Sequence, residues 1–500
     1  MQTSMFNFKP TPSKYQYDFY DALVNTADSI LIAAVAGSGK TTTIVNSLTL
    51  IPKDKDVIFL AFNKSIVKEL TERVPSNINV STLHSFGCKA LMRTYGRVKI
   101  SENKMFDIAL KLCSKWNLHE NENKYAYCGR ICQLVDFMRY TLTTEDDEEI
   151  EKLTIKYNIS IFGDEIQQAK QVLNIGNKDM TVIDFADMIY QPAVKNIKMK
   201  TYHYVFVDEV QDLNRAQQAI VKKLVKPKGG RFIGVGDMFQ SIYGFAGADF
   251  ESFNRLRTMM PNTRELPLSV CYRSTKSIVR HAQEVVPHIE FFEGADEGEE
   301  PRDGLFSEIK SGDVVCCRNT KPLIVAFIQL LKQGKKANIK GREIGKSLSA
   351  LITKTGQKTT KMLMKHLEVQ RLKLKKKLAA KGVQKLDEHP KMVDMNERIE
   401  IINILGEGLP TSKMICEYID KIFLDDKIEG IVLSTVHKMK GLEANRVFVL
   451  CRELMPSKFA IQDDEKQQEE NLKYVLRTRA KKQLIYITDF NPDEYKNKND

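Results

Sequence analysis

Short, almost wholly apolar runs recur along this chain and alternate with longer stretches of helical periodicity. In the first half they are Ile30-Leu31-Ile32-Ala33-Ala34-Val35, Val57-Ile58-Phe59-Leu60-Ala61, Tyr204-Val205-Phe206-Val207 and Arg231-Phe232-Ile233-Gly234-Val235. In the second half they are Asp313-Val314-Val315-Cys316, Ile431-Val432-Leu433, Val447-Phe448-Val449-Leu450 and Gln483-Leu484-Ile485-Tyr486-Ile487. Apolar residues at consecutive positions, rather than alternate ones, belong to strands buried on both faces, as in parallel sheets covered by helices. The runs fall into one group before about residue 270 and another after about 310, which predicts two α/β domains. Each group is interrupted by a stretch without this rhythm that reads as mainly helical. The expected boundaries are therefore 1–90 with 196–270 for the first domain and 271–345 with 412–500 for the second. Residues 91–195 and 346–411 are the helical insertions. In the second of these, Leu363, Leu367, Leu374 and Leu378 share one helix face between Gly356 and Gly382.

Composition narrows the class. The chain has 500 residues, of which 42% are hydrophobic, ample for two cores. No run approaches the roughly eighteen apolar residues of a membrane span. Met1-Gln2-Thr3-Ser4-Met5 lacks the basic-then-apolar order of a secretory signal. Nine cysteines are scattered without a repeating spacing, and Cys113, Cys128 and Cys132 lack a fourth ligand, so reduced thiols in a cytoplasmic protein are expected rather than a zinc or iron–sulfur site. The net charge of +12 points to a polyanionic partner. Much of the excess is local: Lys354 to Lys391 holds twelve Lys or Arg against Glu368, Asp387 and Glu388. That segment is either a solvated charged arm with a packing stripe or a basic arm lying against phosphates.

The candidate chemistry begins at Ala36-Gly37-Ser38-Gly39-Lys40-Thr41, between an apolar run and the helix-like Thr43-Ile44-Val45-Asn46-Ser47-Leu48. Strand, glycine turn, Gly-Lys-Thr and helix are the parts of a phosphate-binding loop. Backbone N–H groups close around a polyphosphate there, and the helix N-terminus adds its positive dipole end. Lys40 reaches the β- and γ-phosphates, and the Thr41 hydroxyl is a ligand for Mg²⁺. Ala34 stands where the first glycine of the strict pattern is expected. Kinases, GTPases and motors all use such a loop, so its purpose stays open at this point.

Val205-Phe206-Val207-Asp208-Glu209 then places two carboxylates at the end of an apolar strand. In a phosphate-loop protein that Asp holds Mg²⁺ and the adjacent Glu polarises an attacking water. A further run ends in Gly236-Asp237-Met238-Phe239-Gln240-Ser241-Ile242-Tyr243, where Gln240 is placed to sense a γ-phosphate and Tyr243 and Phe245 offer flat surfaces.

In order and spacing these elements resemble a superfamily 1 DNA helicase of the UvrD/Rep type, over nearly the whole chain. Gln16 is similar to the family's adenine-reading glutamine. Ala61-Phe62-Asn63-Lys64 and Thr82-Leu83-His84-Ser85-Phe86 resemble its single-strand contact motifs, and Asp184-Phe185-Ala186-Asp187-Met188 its aromatic-acidic motif. Pro267-Leu268-Ser269-Val270-Cys271-Tyr272-Arg273-Ser274 resembles the motif whose tyrosine stacks on adenine and whose arginine reaches the γ-phosphate. Ser434-Thr435-Val436-His437-Lys438-Met439-Lys440-Gly441-Leu442-Glu443 resembles the coupling motif, with Glu443 as the ribose contact. Tyr474-Val475-Leu476-Arg477-Thr478-Arg479-Ala480-Lys481 resembles the final motif, with Arg479 as the second γ-phosphate arginine.

The resemblance implies two RecA-like P-loop motor domains with parallel sheets, each carrying an inserted mainly helical subdomain. It implies an ATP- and Mg²⁺-dependent enzyme moving 3′-to-5′ on single-stranded DNA and acting at single-strand/duplex junctions. Its catalytic residues would be Lys40, Asp208, Glu209, Gln240, Arg273 and Arg479. ATP contacts would come from Gln16, Ala36, Gly37, Ser38, Gly39, Lys40, Thr41, Thr42, Tyr272 and Glu443, with Thr41 and Asp208 on the metal. DNA contacts would come from Phe62, Asn63, His84, Phe86, Phe185, Tyr243, Phe245, Thr435 and His437. The aromatics among these are either core residues or stacking surfaces, and His437 is either structural or coupling. Two departures stand out: Ala246 replaces a usual arginine, and Thr42 stands where an arginine near the base is common. From the short stretch after the last motif, no fused nuclease is expected. A translocase that strips proteins without unwinding, and a DNA clamp switched by nucleotide, are the competing expectations.

Overall fold

The computed structural model describes residues 11–493 except 117, 119–122, 158, 160, 162, 243, 245, 246, 250, 261, 381–383 and 425–429. They form two compact units, Met1–Val270 and Cys271–Asp500.

The first unit is built on six strands: β1 (Ser29–Ala34), β2 (Val57–Ala61), β3 (Asn79–Thr82), β4 (Tyr204–Val207), β5 (Arg231–Gly236) and β6 (Thr263–Leu268). Their order is β3-β2-β4-β5-β1-β6, and every pairing is parallel. Successive residues of β1 serve opposite faces. Ile30 and Ile32 pack with Phe19, Leu23, Ile44 and Leu70 from helices on one side, and Leu31 packs with Ile189, Ile220 and Leu256 on the other. All three β1 residues are fully buried, and each such side chain contributes about 1.5–3 kcal/mol in transfer free energy. β6 escapes a search for apolar runs because Arg264, Glu265 and Pro267 interrupt it. It lies at the sheet edge, where a proline without an N–H is tolerated.

The insertion in this unit has its own core. Helices Lys104–Leu112, Lys124–Thr141, Asp147–Lys156 and Glu165–Lys178 bury Met105, Ile131, Leu134, Ile150 and Val172 together.

The second unit carries seven strands: β7 (Arg302–Gly304), β8 (Val314–Cys317), β9 (Ala337–Lys340), β10 (Phe423–Leu424), β11 (Ile431–Thr435), β12 (Ala444–Val449) and β13 (Ala480–Ile487). The order is β7-β13-β12-β8-β11-β9-β10, again all parallel. Here the inserted helices Arg342–Lys354, Thr360–Ala379 and Pro390–Leu405 pack into the core of the sheet. Leu363, Leu367, Ile401 and Leu405 belong to one apolar cluster with Val315, Ile339, Leu433 and Phe448 of the sheet. Of the leucine stripe read from the sequence, Leu363 and Leu367 lie in this packing face, whereas Leu374 and Leu378 lie outside that cluster.

Candidate nucleotide and single-strand sites

The strand-turn-helix at the end of β1 is set by two left-handed glycines, Gly37 at φ 70° and Gly39 at φ 75°. A side chain at either is strained, so the turn requires them. Ala34 ends β1 in register with Leu268 and has ordinary strand geometry, so no glycine is needed there. Gly39 caps helix Lys40–Leu48 without a side-chain bond, leaving the N-terminal amides to face a ligand. The Ser38 hydroxyl in the turn is buried and has no hydrogen-bond partner. A polyphosphate in the turn would satisfy that orphaned group.

Around Lys40 three carboxylates gather. Lys40 Nζ lies 3.4 Å from Glu209 Oε1. Burial works against its charge, but the fields of Glu209, Asp237 and Asp208 outweigh it and raise its pKa. Asp237 is fully buried, and that desolvation raises its pKa despite Lys40. Glu209 sits in the left-handed region at φ 52°, a conformation that costs an ordinary residue roughly 1–3 kcal/mol and that collects at functional sites. Gln211 ties the group together: its amide donates to Glu209, and its Oε1 accepts the Asp237 N–H at 3.1 Å. Gln240 Nε2 in turn donates to Asp237 Oδ2 at 2.6 Å. Gly236 makes room for this, since a Cβ there would lie 2.3 Å from Gln211 Oε1. Sequence reasoning assigned no role to Gln211 or Asp237, although Asp237 lies inside a run it singled out and Gln211 stands two residues past the Asp208-Glu209 pair.

Three carboxylates around one ammonium leave a local negative excess that a divalent cation would neutralise. No group of three or more His, Cys, Asp or Glu side chains arranged to hold a metal occurs among the described residues. A Mg²⁺ at Thr41 and Asp208 therefore needs phosphate oxygens and water as its remaining ligands, as this ion usually takes them.

Gln16 lies beside the loop but is already engaged. Its Oε1 accepts the Ser13 N–H at 2.9 Å in a capping box for helix Lys14–Asn25, and its Nε2 donates to Thr43 Oγ1 at 2.8 Å. Thr43, to which the sequence pattern gives no role, thus links that glutamine to the phosphate-loop helix. Thr42 is exposed.

The single-strand candidates divide by burial. Phe62 and Phe185 are 44% and 50% exposed, which is unusual for phenylalanine. Phe86 is corrected: it is 8% exposed, packs edge-on to Tyr202 and lies in the core beneath the sheet, so it offers no face to a base. Thr435, at the end of β11, is buried as well. Asn63 is exposed, and its Oδ1 caps helix Lys64–Arg73 by accepting the Ile66 N–H at 2.9 Å. His84 is half-buried, and desolvation lowers its pKa. Tyr243 and Phe245, together with Ala246, lie outside the described residues.

In the second unit the topology brings two distant motifs together. Arg273 Nε pairs with Glu443 Oε2 at 2.5 Å, and its Nη1 donates to the carbonyl of Thr478, the residue before Arg479, at 3.2 Å. Lys481 Nζ holds the other oxygen of Glu443 at 2.7 Å. Burial opposes that carboxylate's charge, yet the Lys481 bond and the Arg273 field bring its pKa below the usual value. Arg479 is 2% exposed, with Nε donating to the Val475 carbonyl at 3.0 Å. Tyr272 is 39% exposed and leans on Phe292 at 5.2 Å between ring centroids.

His437 follows β11. Burial first, then the Arg318 charge, brings its pKa down to about 4. The unfolded chain takes up a proton near the ordinary value of 6.5, which the folded chain refuses until about 4. The unfolded state therefore binds more protons in that window, and this contribution to stability is lost as pH falls through it. The urea midpoint should drop between pH 7 and pH 5 by more in the wild type than in His437→Gln. Equal drops would assign the acid sensitivity elsewhere.

A lysine held among strand-end carboxylates at the mouth of a glycine turn is the arrangement of a P-loop NTPase, and both sheets have the all-parallel build of RecA-like motor domains. The chain belongs to the UvrD/Rep helicase family: residues 18–261 match the UvrD/REP helicase N-terminal domain, and residues 342–490 match the UvrD-like helicase C-terminal domain. It is 29% identical over 288 residues to the ATP-dependent DNA helicase PcrA of Bacillus subtilis, a match covering 53% of this chain and 38% of that protein. The PcrA of Staphylococcus aureus (strain Mu50) is 28% identical over 290 residues, covering 53% and 39%. The chain thus spans about two fifths of the length of these relatives. The crystal structure of arterivirus nonstructural protein 10, a helicase, covers 94% of this chain and 62% of its own at 12% identity and a TM-score of 0.32, a likeness too slight to carry an argument. No helix among the described residues is long and apolar enough to cross a membrane.

Proposed function

We propose that this protein is an ATP-driven motor that moves 3′-to-5′ along single-stranded DNA and separates strands at a junction. The observation that carries this reading is the continuous network Lys40–Glu209–Gln211–Asp237–Gln240 in a unit that also exposes Phe62 and Phe185. Lys40 and the turn amides hold the polyphosphate, Glu209 takes a proton from the attacking water, and Gln240 reports the γ-phosphate to the sheet end. Thr41 and Asp208 would hold a Mg²⁺, which when bound would supply charge neutralisation on the phosphate oxygens. By the family resemblance, Arg273 and Arg479 carry the roles of arginine fingers and Tyr272 that of stacking on adenine. Exposed aromatics stack on successive bases without reading them, so the motor accepts any sequence.

Strand displacement on 3′-tailed, 5′-tailed and blunt duplexes, run beside DNA-stimulated ATPase, tests the reading. Displacement of the 3′-tailed substrate alone is expected. Stimulated ATPase without displacement would make the protein a translocase, and DNA binding without turnover a clamp.

The basic helix Thr360–Ala379 carries a second test. Lys375 is paired with Asp387 at 2.8 Å, whereas Lys373 and Lys376 are exposed. Reversing Lys373 and Lys376 to Glu should weaken single-strand binding and reduce the salt slope by about 0.7 for each phosphate no longer neutralised. Unchanged affinity and slope would make this helix a solvated arm.

A further inference from the structure

Phe185 is a half-exposed aromatic set between two buried carboxylates: Asp184 is 6% exposed and Asp187 is fully buried. The two carboxylates close the turn on themselves. The Asp184 N–H donates to Asp187 Oδ2 at 3.2 Å, and the Asp187 N–H donates to Asp184 Oδ1 at 2.7 Å.

Two cations from separate helices of the insertion then grip this turn. Arg139, near the end of helix Lys124–Thr141, donates from Nη1 to both Asp184 oxygens at 2.9 Å and to Asp187 Oδ1 at 3.3 Å. Its Nη2 reaches Asp136 Oδ1 at 2.5 Å. Lys104, at the start of helix Lys104–Leu112, donates to Asp187 Oδ2 at 2.6 Å and to the Gly176 carbonyl at 2.8 Å. Gln191 Nε2 completes the set with a 3.0 Å bond to Asp187 Oδ1.

Such burial is an expensive way to join helices, because apolar side chains of the same volume usually do it as well or better. What the ions add is a unique geometry for the turn they hold. Next to Arg139, Tyr140 abuts Gly247, where φ is +88° and a Cβ would lie 2.8 Å from the ring. Gly247 directly follows Phe245-Ala246 in the chain. One helix end thus touches the Phe185 turn and the segment after Phe245.

We infer that Arg139 and Lys104 are positioning residues for single-strand binding: the helical insertion fixes the Asp184–Asp187 turn so that Phe185 stands ready to stack on a base. This rests on the reading of Phe185 as a strand contact. It assigns the insertion a part in gripping the strand, carried through a buried ion network.

A double-mutant cycle with a labelled oligothymidylate tests it by fluorescence anisotropy. Phe185→Ala is expected to weaken binding about tenfold, in the range of one lost base stack. Arg139→Met should cost a comparable factor, and the double variant no more than either alone. Additive losses would overturn the inference, because Arg139 would then act independently of Phe185. A Phe185→Ala variant that binds normally would instead remove the strand-contact reading itself. Should Arg139→Met fail to fold, Asp184→Asn enters the same cycle, since it discards the charge on which Arg139 closes but retains an acceptor for the Asp187 N–H. A spectroscopic readout comes from Phe185→Trp in a Trp116→Phe background, which leaves that indole as the single tryptophan. Its acrylamide quenching should change when Arg139→Met is added and recover in part with Arg139→Lys. Quenching unaltered by Arg139→Met would show that the ion network does not set the ring's exposure, and would overturn the inference.

Discussion

Lys40→Ala and Glu209→Gln are each expected to lower DNA-stimulated ATP turnover by about 10²–10³-fold, the usual cost of removing one preorganised charge or proton acceptor from a transition state. The two losses should differ in kind. Lys40 is a cation facing Glu209, Asp208 and Asp237 in this network. Without it the loop presents uncompensated carboxylates to a polyanion, so nucleotide affinity should fall with turnover. Glu209→Gln removes charge beside the phosphates while preserving shape and the contact with Gln211, so affinity should hold or rise while turnover collapses. Titration with a fluorescent ATP analogue, alongside steady-state ATPase, separates the two. Near-normal turnover in either variant would remove that residue from the catalytic set.

Arg479→Ala is expected to cost about 10³-fold in turnover, the lower end of what an arginine finger supplies, with a small change in KM for ATP. Because Arg479 is buried and bonded to the Val475 carbonyl, its removal also disturbs packing. Arg479→Lys separates the causes. Lysine retains the charge but lacks the planar fork, so a folded Lys variant with native melting behaviour and low turnover identifies a catalytic defect. Arg273→Ala should behave similarly. The double variant should lose far less than the product of the two factors, since residues that act as a unit are not additive. Full turnover in Arg479→Lys would sink the finger assignment.

Much of this architecture was legible from β1, β2, β4, β5 and β12, because strands buried on both faces must be apolar at consecutive positions. β6 and β9 were not, since an edge strand carries Arg264, Glu265 and Pro267, and Ala337-Asn338-Ile339-Lys340 alternates. The same limit applied to the insertions. Periodicity found both sets of helices, but nothing in it tells a domain with its own core, as around Ile131 and Leu134, from helices that join the core of the neighbouring sheet, as Leu363 and Ile402 do.

At the sites, the chain by itself determined the chemistry that depends on neighbours in sequence. The glycine turn with Lys40 is one contiguous stretch and Asp208-Glu209 is another, each placed by the end of a strand and the turn after it. Tertiary structure decided what depends on distant neighbours. Phe62, Phe86 and Phe185 are the same residue in similar motifs, and only packing shows that two are exposed while Phe86 is core. Gln211 and Asp237 entered the nucleotide site, and Arg139 and Lys104 the Phe185 turn, for one reason. A buried polar group must find its partner in space, and the fold rather than the sequence interval brings that partner within hydrogen-bond distance.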